Sequence, residues 1–401
     1  MDAYIYDAVR TPRGSIRKNG SLHDIEPIEL VKQLLDALQQ RNSHITSAIE
    51  DVILGCVTQI QDQGANIAKT AVSYAGLPYT IPGMTITRFC TSGLDAIAIA
   101  ASKVHSANQD LIVAGGVESV SRVPMFSDKG AWFHQPHISE KTKFLHMGIS
   151  ADLMAQLAGL NRQQLDQYAL RSHQLAAKAQ HENRYRNTLI PVVLKDEVVL
   201  SHDELIREDT SLEILATFEP SFAPFLTRKQ ITTITTEMPH LSVFQHVHHI
   251  GNSPSLADGA ALLVIGNENA KQKLTQQPIA KIIGTLSIAE HPMLLLGGQS
   301  AAEKVLKKYG FTFQDMDVIE FYEAYAATAV KAMQDWDVEE EKFNPNGGVI
   351  ATGHALGATG AIMVCSLLDE LKHRNGKYGL VTLSGGGGVG TAMIIERLEK
   401  S

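Results

Sequence analysis

Cys90 lies in Phe89-Cys90-Thr91-Ser92-Gly93-Leu94, between a strand-like run and a helix-like one. A thiol at a helix start meets unpaired N–H groups, and these with the helix dipole favour an anion. An ordinary cysteine, with a pKa near 8.5, is only about 3% thiolate at pH 7. Each unit of lowering favours the thiolate by about 1.4 kcal/mol. Ser92 and Gly93 permit close approach of the backbone to a ligand. These features make Cys90 a candidate nucleophile; the competing reading is a buried structural cysteine.

Two glycine-rich runs could complete such a site. Asn344-Pro345-Asn346-Gly347-Gly348 is followed by Gly353-His354-Ala355-Leu356-Gly357-Ala358-Thr359-Gly360. His354 sits in a tight turn ahead of a helix, where an imidazole can face a cleft, take a thiol proton and polarise a carbonyl. A lone histidine is as readily structural. Leu383-Ser384-Gly385-Gly386-Gly387-Gly388-Val389-Gly390 joins two strand-like runs. It reads as a flexible hairpin or as backbone that lends N–H groups to an oxyanion.

These residues need a scaffold, and short apolar runs alternate with helical ones along the chain. Strands are expected at 3–9, 51–55, 83–89 and 110–116, with helices at 28–38 and 90–104. The 110–116 run is continuously apolar, as in a sheet buried on both faces. The order implies a layered α/β unit with a mostly parallel sheet. A similar rhythm returns after about residue 271: strands at 280–285, 318–320, 379–383 and 391–395, helices at 300–308 and 357–372. A fold-level duplication is expected, although no strong sequence repeat is visible. The stretch 121–245 differs, with Trp132, His134, His137 and His146, a charged helix at 163–182, and interrupting prolines. It reads as an excursion that covers a face of the core, either as irregular packing or as a substrate lid.

The bulk numbers agree with an ordinary folded chain. A length of 401 residues suits two or three packed units. Hydrophobic residues make up 44% and charged residues 19%, too apolar for a disordered chain. A net charge of -8 argues against nonspecific binding to nucleic acid or anionic membrane. Cys56, Cys90 and Cys365 are too few for a disulfide framework and show no metal-ligand spacing. The start lacks a signal peptide and no apolar run is long enough to span a membrane, so a cytosolic protein is expected. Cys56 and Cys365 read as core residues, and Glu118 as structural.

The three motifs, in this order, resemble those of the thiolase family. So do Arg10-Thr11-Pro12, the run from Gly115 through Glu118 to Ser121, His146-Met147-Gly148, and Asn252-Ser253-Pro254 through Asp258-Gly259-Ala260. The resemblance runs over nearly the whole chain. It implies two similar βαβαβαββ halves, 1–270 and 271–401, in a five-layered α-β-α-β-α core. A loop domain at about 121–245 is inserted in the first half. It implies an acyltransferase on CoA thioesters that cleaves a 3-oxoacyl-CoA with CoA, or runs the reverse Claisen condensation. CoA is then a co-substrate, with no permanently bound cofactor and no metal, in a homodimer or homotetramer. Carried onto this chain, Cys90 takes the acyl group and His354 activates it. The N–H groups of Cys90 and Gly386 form an oxyanion hole, and His146 and Met147 lie beside the substrate.

Three departures stand against the family pattern. Ser384 occupies the place of a second cysteine that moves a proton at the α-carbon, and a hydroxyl is far less acidic than a thiol. Tyr322, in Phe321-Tyr322-Glu323-Ala324-Tyr325, stands where an asparagine holds an oxyanion-hole water. Its hydroxyl either replaces that water or blocks the site. His246-Val247-His248-His249 replaces small residues and threonines; it reads as a polar loop end, with CoA phosphates as the alternative partner. Ala355 replaces a proline, and Ser253 and Pro254 fall where the family contacts CoA. The departures leave open an acyl-CoA hydrolase, or transfer to another acceptor, without a Claisen step. A non-catalytic acyl-CoA-binding protein is the further alternative.

Overall fold

The computed structural model describes residues 1–241 and 244–399; residues 242 and 243 of the 121–245 stretch, and the last two residues, lie outside the described residues. The first half supplies β1 (Ala3–Arg10), α1 (Pro27–Arg41), β2 (Asp51–Gly55), α2 (Ile67–Tyr74), β3 (Met84–Ile86), α3 (Ser92–His105) and β4 (Leu111–Ser119). After the excursion, which includes α4 (Met147–Leu157) and α5 (Arg162–His181), come β5 (Ala257–Gly266) and β6 (Ala280–Ala289). The chain ends with α6 (Gly297–Tyr309), β7 (Val318–Phe321), α7 (Ala326–Trp336), α8 (Thr359–His373), β8 (Tyr378–Ser384) and β9 (Val389–Arg397).

The strand order is β7-β8-β9-β6-β1-β5-β4-β2-β3, with the short Gly14–Ser15 strand beside β5. The duplication is visible in it. In each half the last strand lies antiparallel between the first strand and the one just before it: β5 between β1 and β4, β9 between β6 and β8. The halves meet where β1 pairs with β6, Ala3 opposite Ile282. The sheet is therefore mixed rather than mostly parallel: only β2/β3, β2/β4 and β7/β8 run parallel among its main pairs. The difference arises from β5 and β9, each antiparallel to both neighbours, and from β1 against β6; the sequence reading passed over β5, where Ala257-Asp258-Gly259-Ala260 looks like a loop. All ten of its residues are buried.

Burial sorts the helices into layers. In α1 the apolar Leu30, Val31, Leu34, Leu35 and Leu38 form one face, which packs with β2 and β4 in one cluster. In α8 every residue from Thr359 to Leu371 is buried, as expected for a helix covered all round. α8 and α3 share a cluster with strands of both halves, so they form the middle of five layers. α6 and α7 cover the outer face of the second half, with Trp336 buried among Phe321 and Phe343. Each buried Leu, Ile or Val side chain contributes about 1.5–3 kcal/mol toward holding these layers.

Two boundaries shift where the chain turns. β3 stops at Ile86, short of residue 89, and α3 begins at Ser92, not at Cys90. α8 begins at Thr359, after a 3-10 turn over Leu356–Ala358.

Candidate active site

The turn from β3 to α3 carries Cys90. Phe89 takes φ +51°, a left-handed conformation that costs a bulky residue on the order of 1–3 kcal/mol. Local bonds hold it there. The Ser92 hydroxyl accepts from the Arg88 N–H at 2.8 Å and donates to the Phe89 carbonyl at 2.5 Å. Cys90 thus stands two residues ahead of the helix and is half-buried.

His354 comes from the second half. Gly353, at φ +94°, makes the turn that a side chain would strain. The His354 N–H donates to Ser255 O at 2.8 Å, and its carbonyl accepts from the Ala257 N–H at 2.9 Å. This pins the histidine to the entrance of β5. Its Nδ1 lies 2.8 Å from Thr359 Oγ1, and its Nε2 lies 3.3 Å from Cys90 Sγ. The two turns touch directly: a Cβ on Gly93 would come within 2.5 Å of Gly357 O. Glu118, buried at the end of β4, ties the Gly357 turn to the segment that follows β2. Its carboxylate accepts N–H groups from Gly357, Val57 and Thr58 at 2.9, 2.8 and 3.1 Å.

Tyr322 follows β7 and is buried against the imidazole, ring centroids 4.8 Å apart. Its hydroxyl lies beside the Cys90 sulfur and favours the thiolate there. The neighbouring Glu323 fixes this loop: its carboxylate accepts from Tyr168 Oη at 2.7 Å, Ser172 Oγ at 3.0 Å and the Ile350 N–H at 2.9 Å. The backbone N–H groups of Gly386 and Cys90 also reach the sulfur. Ser384, closing β8, is turned elsewhere. Its hydroxyl donates to Leu295 O and accepts from the Gly298 N–H, both at 2.9 Å.

Residues of the excursion and of the chain leading into β5 line the surroundings. Trp132 lies over Gly386, where a Cβ would come within 2.9 Å of the indole, and its ring is 4.9 Å from that of Phe89. His146 caps α4 through Nδ1, which accepts the Gly148 N–H at 3.2 Å, and stacks on Phe225 at 4.2 Å. Met147 and Cys90 pack against one apolar cluster. Ser253 is buried with an unpartnered hydroxyl, while Pro254 is partly exposed. The structure thus gathers Cys90, His354, Tyr322 and Gly386 around one sulfur, and leaves Ser384 bonded to backbone beside them.

Electrostatics reverse the thiolate expectation. Burial pushes the Cys90 thiol up to about 11; the Tyr322 hydroxyl and the two backbone N–H groups pull the other way and lose. Burial, with the nearby Arg13 guanidinium, lowers His354 to about 3. The resting pair is neutral thiol and neutral imidazole. Such a pair, with two N–H donors at the sulfur, can pass a proton and take an acyl group as a thioester once a carbonyl is bound.

The histidine run is not a polar loop end. His248 and His249 are wholly buried. Asp152 takes His246 Nδ1 at 2.7 Å and His248 Nδ1 at 2.8 Å, and Asp166 takes His249 Nε2 at 2.8 Å. Cys56 and Cys365 are buried thiols raised by desolvation. Among the described residues no group of three or more His, Cys, Asp or Glu could hold a metal ion, and no helix is long and apolar enough to cross a membrane. Sequence reasoning passed over Thr359, Arg13, Asp152 and Asp166. Thr359 had a signal, five residues after His354 at the start of a helix. Asp152 and Asp166 had none, since each looks like an ordinary charge on a helix.

The family model for the thiolase N-terminal domain matches residues 3–269, and that for the thiolase C-terminal domain matches residues 276–397. The chain is 37% identical to a 3-oxoadipyl-CoA/3-oxo-5,6-dehydrosuberyl-CoA thiolase of Escherichia coli, over 99% of this chain and 100% of the relative. It is 34% identical to a 3-ketoacyl-CoA thiolase of Bacillus subtilis, over 98% and 99%. The crystal structure of an acetyl-CoA acetyltransferase of Bacillus anthracis superposes with a TM-score of 0.85 at 32% identity, covering 99% of both chains.

Proposed function

The chain belongs to the thiolase family, and on that premise we propose that Cys90 and His354 are the groups with which it works. The protein is an acyltransferase that cleaves a 3-oxoacyl-CoA with CoA to acetyl-CoA and a shortened acyl-CoA, or runs the reverse condensation. Cys90 attacks the 3-oxo carbonyl after His354 Nε2 takes its proton. The N–H groups of Cys90 and Gly386 receive the oxyanion, and the acyl group rests on the sulfur as a thioester. The observation that carries this reading is the 3.3 Å separation of Cys90 Sγ and His354 Nε2, made between turns from opposite halves. The chemistry needs a neutral imidazole as proton acceptor, and His354 is one.

CoA enters as co-substrate. The unpartnered hydroxyl of Ser253 supports a contact with its pantetheine arm, and Met147, packed against the same apolar cluster as Cys90, supports placing His146 and Met147 beside the substrate. The stretch 121–245 covers the site through Trp132. No permanently held cofactor is assigned. A second copy of the chain is the expected partner, because β3 is an open sheet edge with Met84 exposed. Three unbonded cysteines suit the cytosol.

The test mixes protein, 3-oxoacyl-CoAs of several chain lengths and free CoA, and follows loss of substrate alongside intact mass. Turnover with an acyl adduct, both absent in Cys90→Ala, is the expected result. Neither adduct nor turnover in the unaltered protein would leave only acyl-CoA binding. A second reading keeps the adduct and drops carbon–carbon cleavage, in favour of hydrolysis or another acceptor. The bonds that commit Ser384 to Leu295 and Gly298 favour it, and it predicts labelling of Cys90 without thiolysis.

A further inference from the structure

Breaking the C2–C3 bond of a 3-oxoacyl thioester leaves the electron pair on C2, which needs a proton before acetyl-CoA departs. By resemblance Ser384 holds the position for that task. Its one proton is already given to Leu295 O, and its oxygen takes the Gly298 N–H. Gly298 lies in the first turn of α6, whose N–H groups have no partner within the helix. Turning the hydroxyl toward a ligand would strand these buried backbone groups.

Tyr322 is placed differently. It is buried, its ring 4.8 Å from that of His354, with its hydroxyl near the Cys90 sulfur. C3 becomes bonded to that sulfur, and C2 is one bond further on. We propose, resting on the function assigned above, that Tyr322 is the catalytic acid of the carbon–carbon step in place of Ser384. His354 takes the thiol proton and the thiolate adds to C3. As the C3 carbonyl re-forms, the C2–C3 bond breaks and its electron pair on C2 takes the phenol proton. Acetyl-CoA leaves, with acyl-Cys90 and a tyrosinate remaining. Protonated His354, its ring beside that of Tyr322, returns its proton to the tyrosinate. Neutral His354 then takes the proton of the incoming CoA thiol, whose sulfur displaces Cys90 from the acyl group, and passes it to the Cys90 sulfur. Burial holds the phenol well above its usual range, so the tyrosinate takes a proton readily from an imidazolium. Burial and the Arg13 charge disfavour protonated His354, which makes it a ready source of that proton.

Two rates separate the steps: acylation of Cys90 by acetyl-CoA, read by mass, and single-turnover cleavage of a 3-oxoacyl-CoA. In Tyr322→Phe the ratio of cleavage to acylation should fall about a hundredfold or more. In Ser384→Ala it should move by less than about threefold. Acylation in each variant also reports an intact site. An unchanged ratio in Tyr322→Phe, or a collapsed one in Ser384→Ala, overturns the proposal. So does a Tyr322→Phe protein that no longer acylates, which would assign the hydroxyl to thiol activation. Failure of the underlying function looks different: the unaltered protein would show no adduct, or an adduct with no cleavage.

Discussion

His354 Nε2 lies 3.3 Å from Cys90 Sγ, yet burial keeps both groups uncharged. A thiol held at about 11 is protonated through the physiological range, and its thiolate fraction rises about tenfold per pH unit below that value. Alkylation of Cys90 by iodoacetamide should therefore climb with unit slope from about pH 7 to pH 10. Levelling near neutral pH would reveal a resting thiolate–imidazolium pair instead.

Ser384 anchors the start of α6 to the end of β8 through two backbone bonds. Removing its hydroxyl leaves the Gly298 N–H and the Leu295 carbonyl buried without it. Ser384→Ala should lose about 1–3 kcal/mol of stability in urea unfolding. A loss below about 0.5 kcal/mol would mean that the serine does not hold these elements together.

Much of this arrangement was readable from local pattern. The apolar run at 110–116 announced a doubly buried strand, and the glycines around His354 announced a tight turn. What escaped was whatever depends on partners distant in sequence. β5 is buried because β1 and β4 flank it, not because Ala257-Asp258-Gly259 prefers a strand. The thiol looked activated from its place at a helix start. The layers that enclose it outweigh the dipole, and their burial is invisible in a six-residue motif. Likewise, Asp152 and the histidines it binds are separated by some ninety positions.

Asp152 accepts from the N–H groups of Val247 and His248 as well as from His246 and His248 Nδ1. An asparagine offers one oxygen and turns two donors toward the same groups. Asp152→Asn should cost about 3 kcal/mol or more, because buried donors lose a charged acceptor. Urea midpoints measure it. A shift worth under about 1 kcal/mol would show that the segment repacks without the carboxylate.

Glu320 gives stability a pH dependence of unusual sign. Its carboxyl is buried, with Oε1 unpartnered, beside a small cavity shared with Arg13, Tyr185 and Thr352. Burial and the charges of Glu370 and Glu323 raise it to about 8, against the pull of Arg13 and Arg374. The folded value exceeds the ordinary 4.5, so the unfolded chain releases this proton first as pH rises. The associated stability is present below pH 4.5 and is lost progressively up to about pH 8, a loss on the order of several kcal/mol. Glu320→Gln keeps the neutral shape and cannot ionise. Its urea midpoint should match that of the unaltered protein near pH 5 and exceed it at pH 8, where the folded carboxyl is being forced to ionise. Equal midpoints at both values would place the Glu320 proton outside the folding equilibrium.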